Sequence, residues 1–332
     1  MSVRTKILGT GHYVPERVVT NKDLEKLMET SDEWIQQRTG IRERRWTEGE
    51  CGASDLAKPA VEAALDMAEL KASDIDAIIF ATLSPDYNFP GSGCLMTRLL
   101  DIPGTAALDI RNQCSGFVYG MQVADAWIRA GMYKTVLFIG AEVHSTGLDV
   151  STAGRDVSVI FGDGAGAILL GPTDDTNQGI LTTQAGADGR YAEELWVEAP
   201  NSRLHPRLTA EMMEQRRHFP KMNGREVFKH AVRKIPESLK TSLDACSLSV
   251  ADIDLFIPHQ ANLRISEAVQ KALQLPDDRV YNNIQRFGNT TAASIPIALD
   301  ECVRSGRLQR GQLLAAAAFG AGFTWGSALI RF

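Results

Sequence analysis

The chain has 332 residues, of which 44% are hydrophobic and 23% are charged, a composition typical of one large or two closely packed domains with ample core. Its formal net charge of −6 argues against nucleic acid as the main ligand. No apolar run is long enough to span a bilayer, and the first residues lack the apolar core of a signal peptide. We therefore expect a cytoplasmic protein that is not embedded in a membrane.

The first half of the chain alternates strands with helices. A strand is predicted at Ile7 and Leu8, and an acidic turn leads into an apolar strand over residues 73–80. A helix follows over residues 118–130, ends at a glycine cap and precedes a strand over residues 135–140. This alternation predicts an α/β fold.

The second half repeats this plan. Residues 251–258 resemble residues 73–80, and residues 300–306 resemble residues 125–131. The tail over residues 312–329 is interrupted by glycines and is predicted as strand–turn–strand. The simplest organisation is a duplicated α/β unit built around parallel strands. Its halves, residues 1–172 and 173–332, would divide within residues 171–179.

The repeat relates three residues that are distant in sequence. Residues 125 and 300 correspond at an offset of 175, and the same offset relates Cys114 to Asn289. The strand pair has an offset of 178, which places His259 just past its strand, opposite Ala81. Ligands of open α/β sheets bind at the carboxyl ends of strands. We therefore expect Cys114, His259 and Asn289 to converge.

The chain has five widely spaced cysteines and no CxxC pair, which argues against both a disulfide framework and a zinc site. They are Cys51, Cys94, Cys114, Cys246 and Cys302. Only Cys114 immediately precedes a predicted helix, where the positive helix terminus favours the nucleophilic thiolate. A buried structural cysteine is the alternative interpretation. The six histidines form no metal motif.

His259 and Asn289 also have alternative interpretations. His259 follows an apolar strand and a proline and precedes a helix, but an isolated histidine often has only a structural hydrogen bond. Asn289 could be a turn residue, and its N-x-T glycosylation motif has no role in the cytoplasm. The glycine-rich residues 162–166 lack the GxGxxG spacing of a dinucleotide loop.

Eight segments in order resemble the β-ketoacyl-acyl-carrier-protein synthase III family of condensing enzymes, which have the thiolase fold. The segments begin at Gly9 (GTG), Thr30 (TSDEWI), Arg38 (RTGIRER), Cys114 (CSGF), Phe161 (FGDGAGA), Pro258 (PHQANLRI), Gly288 (GNT) and Phe319 (FGAGFTWGS). The resemblance covers almost the whole chain and implies two duplicated α/β halves packed as five layers, α-β-α-β-α.

The resemblance also implies a mechanism. Cys114 would take an acyl group from acyl-CoA, and a malonyl thioester, carried by acyl carrier protein or CoA, would then lose carbon dioxide. His259 and Asn289 would bind the enolate oxygen, a charge-stabilising role. The backbone N–H groups of Cys114 and Ala321 would form the oxyanion hole. Family members usually have glycine at the position of Ala321, and alanine can serve there if its φ is negative.

Further roles are implied by position. Trp34 would stack on the adenine of CoA, Arg38 and Arg155 would approach the nucleotide, and Gly224 and Asn262 would line the pantetheine channel. The other implied positions are Phe161 and Phe319 binding the substrate or CoA, Phe89 closing the acyl pocket across a homodimer interface, and Lys229, Arg264 and Lys271 docking acyl carrier protein. Solvated surface or core roles are the alternatives for each. No cofactor is implied, because CoA thioesters are substrates.

Two departures from the family pattern leave the substrate open. Asn112 and Gln113 precede the cysteine where small residues are common, and residues 191–222 form a longer, cap-like insertion. One hypothesis is therefore the initiating condensing enzyme of fatty acid synthesis. A second is a specialised synthase or acyltransferase of secondary metabolism, of polyketide or alkylquinolone type. A third is a non-catalytic CoA-binding protein.

Overall fold

The computed structural model describes residues 3–332, which form thirteen strands and eleven α-helices. The strands are β1 Arg4–Tyr13, β2 Val18–Thr20, β3 Glu43–Arg45, β4 Ala77–Ala81, β5 Ala106–Ile110, β6 Val136–Glu142, β7 Gly164–Thr173, β8 Gly179–Ala187, β9 Leu195–Val197, β10 Pro220–Met222, β11 Leu255–Pro258, β12 Leu313–Gly320 and β13 Thr324–Arg331. The helices are α1 Asn21–Leu24, α2 Asp32–Thr39, α3 Ala53–Ala68, α4 Ser92–Leu99, α5 Gly116–Arg129, α6 Arg155–Ser158, α7 Ala210–Glu214, α8 Gly224–Ala245, α9 Leu263–Leu273, α10 Ile284–Phe287 and α11 Ser294–Arg304.

Two large sheets carry the same strand plan. The first has the order β1-β7-β6-β4-β5 and the second has the order β8-β13-β12-β11. Strands β4 and β6 are parallel neighbours in the first sheet, as β11 and β12 are in the second. In each sheet two further strands continue in antiparallel pairing. The duplication predicted from the repeat is therefore confirmed, whereas the boundary between residues 172 and 173 stays a prediction.

The two sheets and their helices form five layers. Along β4, Ile78 and Phe80 pack against α3 on one face, while Ile79 belongs to a second core cluster on the other, as the period of two in a strand requires. The second cluster contains Phe117 of α5 and Leu299 of α11, together with residues of both sheets. A third cluster packs α8 and α9 on the second sheet. The predicted α-β-α-β-α core is confirmed.

Most predicted elements lie where the sequence placed them, and antiparallel strands extend the predicted parallel strands of each sheet. The predicted helix corresponds to α5, and the glycine-broken tail forms β12 and β13. Only three residues separate β12 from β13, and strands joined by so short a turn must run antiparallel. In residues 3–332, no helix is long and apolar enough to cross a membrane.

Residues 191–222 form a small substructure, which we call the cap. Its strands β9 and β10 pair as an antiparallel ribbon, with α7 between them in sequence. Arg216 ties the cap to the segment that follows β6, because its Nε donates to Asp149 Oδ2 at 2.7 Å and its terminal nitrogen to Ser151 Oγ at 2.6 Å. The cap is therefore packed onto the first half.

Candidate active site

Cys114 lies in a single 3-10 turn, Gln113–Ser115, directly ahead of α5. The turn is fastened to β13 because the hydroxyls of Ser115 and Thr324 lie 2.6 Å apart. Gly116 permits close packing beneath it, since a Cβ there would lie 3.0 Å from the Cβ of Ala81. The nucleophile candidate is thus held by rigid neighbours, with 6% of its surface exposed.

The end of β12 lies against the cysteine. A Cβ added to Gly320 would lie 2.4 Å from the Cβ of Cys114 and 2.8 Å from its Sγ, so only glycine fits there. The backbone N–H groups of Ala321 and of Cys114 itself lie close enough to the cysteine sulfur to lower its pKa. Ala321 has no positive φ, and its side chain is therefore compatible with a backbone donor role.

Burial changes the expected ionisation of Cys114. The sequence predicted a thiolate favoured by the helix terminus, but desolvation raises the pKa of Cys114 to about 12, assisted by the negative charge of Glu142. The two backbone N–H groups oppose this shift without overcoming it. Cys114 is therefore a thiol in the free protein, because burial outweighs the helix-terminus effect that favours the thiolate.

His259 follows β11 and is fully enclosed. Its backbone N–H donates to Ala317 of β12 at 2.8 Å, and burial lowers its pKa to about 3, so the imidazole is neutral. Its Nδ1 lies 2.6 Å from Ser294 Oγ, which also accepts the Gln260 N–H at 3.4 Å. The serine hydroxyl can donate to Nδ1, and in that tautomer the imidazole proton lies on Nε2. That Nε2 is buried without a protein partner.

Asn289 is held between the two halves. Its N–H donates to Ile160 O at 2.9 Å, and its carbonyl accepts from the Gly162 N–H at 3.1 Å. Its side-chain Oδ1 accepts the Thr291 N–H at 2.8 Å. Since the oxygen is engaged, the amide Nδ2 is the group left to donate to a ligand.

A cavity of about 500 Å³ brings most of the candidate residues together. Those that line it are Trp34, Arg38, Cys114, Phe161, Gly224, Asn262, Arg264, Asn289 and Phe319. The cap contributes Leu195 and Met222 to the same lining. His259 is not a lining residue, but it ends the strand beside β12, whose last residue touches Cys114. The cavity thus extends from α2 at the surface to the cysteine.

The mouth of the cavity carries an aromatic ring flanked by two cations. The guanidinium of Arg38 lies 4.7 Å from the Trp34 ring centroid and that of Arg155 lies 5.1 Å from it. Arg155 is also anchored by a 2.7 Å bond to Glu29 O. A flat ring beside two permanent cations suits a ligand with an aromatic base and phosphates.

Both polar atoms of the Asn262 side chain make hydrogen bonds within the protein. Its Oδ1 accepts the Arg264 N–H at 3.0 Å as the N-cap of α9, and its Nδ2 donates to Arg38 O at 3.0 Å. Asn262 therefore shapes the channel by joining α9 to α2. Gly224, at the start of α8, leaves open space, because a Cβ there would contact only the end of Met222 at 3.7 Å.

The predicted surface residues lie away from the cysteine. Lys229 and Lys271 are exposed on α8 and α9, and Lys229 pairs with Glu226 at 3.1 Å. Arg264 lies at the mouth, 5.8 Å from the Phe228 ring. Phe89 is 84% exposed and does not line the cavity of its own chain. The structure thus does not group Phe89 with the site inside one chain.

Sequence reasoning missed a buried carboxyl beside the site. Glu142 ends β6 and accepts hydrogen bonds from Ser84 Oγ at 2.6 Å and Thr82 Oγ1 at 3.2 Å. Burial raises its pKa to about 7. A sequence signal for it was available, since Glu142 is the lone acid of an otherwise uncharged strand, whose seven residues are all buried.

Gly320 was also missed, because only the fold places it against Cys114. Across residues 3–332, no cluster of three His, Cys, Asp or Glu side chains could bind a metal.

Comparisons with known proteins agree with this geometry. Residues 108–189 match the family model for 3-oxoacyl-[acyl-carrier-protein] synthase III, and residues 243–332 match the model for its C-terminal part. A β-ketoacyl-[acyl-carrier-protein] synthase III of Caldanaerobacter subterraneus is 46% identical over 98% of this chain and 97% of its own length. That of Roseiflexus castenholzii is 48% identical over the same shares.

A solved structure extends the likeness to three dimensions. The 3-oxoacyl-[acyl-carrier-protein] synthase III of Aquifex aeolicus has a TM-score of 0.90 and 42% identity, with 99% of this chain and 100% of that chain covered. The fold is that of a thiolase-fold condensing enzyme, and the relatives make the chain an acyltransferase. The chain belongs to the 3-oxoacyl-[acyl-carrier-protein] synthase III family.

The contact between Gly320 and Cys114 yields a prediction. Gly320→Ala should slow formation of the acyl-cysteine at least about 100-fold, because a Cβ there displaces the nucleophile. Ala321→Gly should acylate within about threefold of the unaltered chain, since its donor is backbone. Intact-protein mass spectrometry after rapid mixing with acyl-CoA measures both rates. Equal acylation by the two variants would contradict the assigned contact.

A second prediction follows from the raised pKa of Cys114. Below its pKa a thiol gains thiolate about tenfold per pH unit, so the iodoacetamide labelling rate of Cys114 should still be climbing between about pH 9 and 10. A free thiol with the ordinary pKa of 9.0 levels off in that range. Peptide-resolved mass spectrometry separates Cys114 from the exposed Cys94. A plateau for Cys114 below about pH 8 would mean that the helix terminus dominates.

Proposed function

We propose that this chain catalyses the initiating condensation of fatty acid synthesis, joining an acyl group from acyl-CoA to a malonyl unit carried by acyl carrier protein. The observation that carries the proposal is one cavity lined by both Cys114 and Asn289, with the backbone N–H groups of Cys114 and Ala321 near the cysteine sulfur. In this reaction Cys114 is the nucleophile, and His259 and Asn289 stabilise negative charge.

The first half-reaction is acyl transfer to Cys114. The sulfur attacks the thioester carbonyl, the bond to the CoA sulfur breaks, and the thiol proton ends on the departing CoA. The N–H groups of Cys114 and Ala321 hold the oxygen that becomes negative in the tetrahedral intermediate. Because Cys114 rests as a thiol, proton removal accompanies attack rather than preceding it.

The second half-reaction is decarboxylation followed by condensation. The bond between the malonyl α-carbon and its carboxylate breaks, carbon dioxide leaves, and the electron pair forms an enolate. The Nε2–H of His259 and the Nδ2 of Asn289 donate to the enolate oxygen. A neutral imidazole fits this role, since burial holds the pKa of His259 at about 3. The enolate carbon then attacks the acyl-cysteine, and Cys114 leaves and regains a proton.

The channel suits a CoA thioester. We propose that the adenine stacks at Trp34, that Arg38 and Arg155 face the nucleotide phosphates, and that pantetheine passes Gly224 and Asn262 toward Phe161 and Phe319. The support is that all of these except Arg155 line one cavity, while Arg155 lies on the Trp34 ring. The steps need no cofactor beyond thioester substrates. A cytoplasmic location, where acyl-CoA is used, is part of this proposal.

Two interfaces complete the proposal. The exposed Phe89, beside the exposed Tyr87, would close the acyl pocket of a second copy in a homodimer. Its 84% exposure supports this, because a large aromatic ring is rarely left in water.

Lys229, Arg264 and Lys271 would dock the acidic acyl carrier protein beside the cavity mouth. The pairing of Lys229 with Glu226 lessens its contribution.

Relatives at 43–48% identity over nearly the whole chain are β-ketoacyl-[acyl-carrier-protein] synthases III. They favour the initiating condensation over the secondary-metabolism hypothesis that Gln113 and the cap had suggested. A non-catalytic CoA-binding protein would have no use for a solvent-excluded cysteine between two N–H donors.

The assigned roles predict a division of labour. Cys114→Ala should abolish acyl-enzyme formation, whereas His259→Ala and Asn289→Ala should acylate normally and lose about 100- to 1000-fold in malonyl decarboxylation and condensation. Rapid-quench measurement of the acyl-enzyme and of released carbon dioxide separates the half-reactions. If Asn289→Ala lost acylation as severely as condensation, the roles would be wrongly assigned.

The proposed docking residues predict a preference between the two malonyl carriers. Malonyl-acyl carrier protein should outcompete malonyl-CoA as acceptor, and Lys271→Glu should raise KM for the former about 3- to 10-fold while sparing the latter. Lys240→Glu is the matched control, because Lys240 is exposed on α8 sixteen residues beyond Gly224, about 24 Å along the helix. Preference for malonyl-CoA would instead support the specialised-synthase hypothesis.

A further inference from the structure

Thr291 has an unusual backbone conformation two residues after Asn289. Its φ is +48°, in the left-handed region that β-branched residues rarely adopt and that costs energy unless the surroundings hold it. Thr291 is also buried, with 1% of its surface exposed. Some contact must therefore stabilise this conformation.

His144 supplies that contact. Its Nε2 lies 2.6 Å from Thr291 Oγ1, so a buried hydrogen bond joins the segment after β6 to the turn before α11. His144 is itself fixed, because its backbone N–H donates to the buried Asp163 at 2.7 Å and its ring packs 4.7 Å from that of Phe161. None of the reaction steps above uses His144, and it does not line the cavity.

The conformation of Thr291 controls Asn289. The N–H of Thr291 donates to Asn289 Oδ1 at 2.8 Å. Because α11, which follows Thr291, is held by its buried residues, a different φ at Thr291 would rotate the preceding peptide plane and turn this N–H away. Without that donor, the amide of Asn289 could rotate and exchange its Nδ2 and Oδ1. An oxygen facing the enolate would repel the charge that the nitrogen is meant to stabilise.

We propose that His144 is a positioning residue for the decarboxylation half-reaction, holding Thr291 in its left-handed conformation and thereby keeping the Nδ2 of Asn289 directed to the substrate. The proposal rests on the role given to Asn289 in the proposed function. It assigns His144 and Thr291 to one half-reaction, because their hydrogen bonds lead to Asn289 and none of them leads to Cys114 or Ala321.

The hydrogen bond does not require a charged histidine. Burial lowers the pKa of His144 to about 4, and the neighbouring Asp163 only partly opposes this shift. His144 is therefore neutral at physiological pH. A glutamine can place a polar group near the position of Nε2, while a phenylalanine keeps the ring packing against Phe161 and removes the hydrogen bond.

These properties define a set of variants. His144→Phe should retain acylation of Cys114 within about threefold while malonyl decarboxylation falls about 10- to 100-fold. His144→Gln should recover most of the loss. Glycine takes a positive φ without strain, so in a Thr291→Gly background the further change His144→Phe should cost less than about threefold. The readouts are the acyl-enzyme burst and the release of carbon dioxide.

Three outcomes would overturn the proposal. His144→Phe could decarboxylate as the unaltered chain does, it could lose both half-reactions equally as a misfolded protein would, or its penalty could be the same in the Thr291→Gly background. A crystal structure of His144→Phe gives a readout independent of turnover: Thr291 should leave the left-handed region and Asn289 Oδ1 should lose its donor. If the unaltered chain releases no carbon dioxide from malonyl thioesters, the proposed function fails, and the crystal structure still decides whether His144 positions Asn289.

Discussion

The close approach of the two halves at the helix starts is the constraint on which the site depends. Cys114 belongs to the first half and Asn289 to the second, and they share a cavity only because the turns before α5 and α11 nearly touch. A Cβ on Gly140 would lie 2.3 Å from Ala292 O, which leaves no room for any other residue at this point of β6. The backbone bonds between residues 160–162 and Asn289 then lock the register of this contact. The geometry of the reacting groups is thus set by backbone packing more than by side-chain choice.

The same packing sets the electrostatics. Because the site lies between two sheets, its groups lose water, and desolvation dominates the pKa shifts of Cys114, Glu142 and His259. With Cys114 a thiol, Glu142 a carboxyl whose pKa is about 7 and His259 an uncharged imidazole, the site has little fixed charge. Such a site is suited to stabilising charge that appears during the reaction, because donors fixed in a dry cavity need no reorganisation. Ser294 fits this scheme, since a serine proton donated to Nδ1 leaves the imidazole proton of His259 on Nε2, the nitrogen without a protein partner.

The sequence predicted what depends on chain order and pattern. The internal repeat located the duplicated sheets, and its offsets related Cys114 to Asn289, which the structure places on one cavity. It failed where the answer depends on packing between distant segments. The helix-terminus argument for a Cys114 thiolate considered only the local dipole. The ionisation of Cys114 is decided instead by its burial, with a smaller contribution from the charge of Glu142. Gly320, His144 and Ser294 were missed for the same reason, because each acts on a residue far away in sequence.

The cap extends this dependence to the cavity mouth. Arg216 bonds it to Asp149 and Ser151, and four residues beyond Ser151 the chain reaches Arg155, which lies on Trp34. The cap also lines the channel through Leu195 and Met222. One short segment therefore links the wall of the channel to the cations at its mouth, so a shift of the cap on this segment would alter both together.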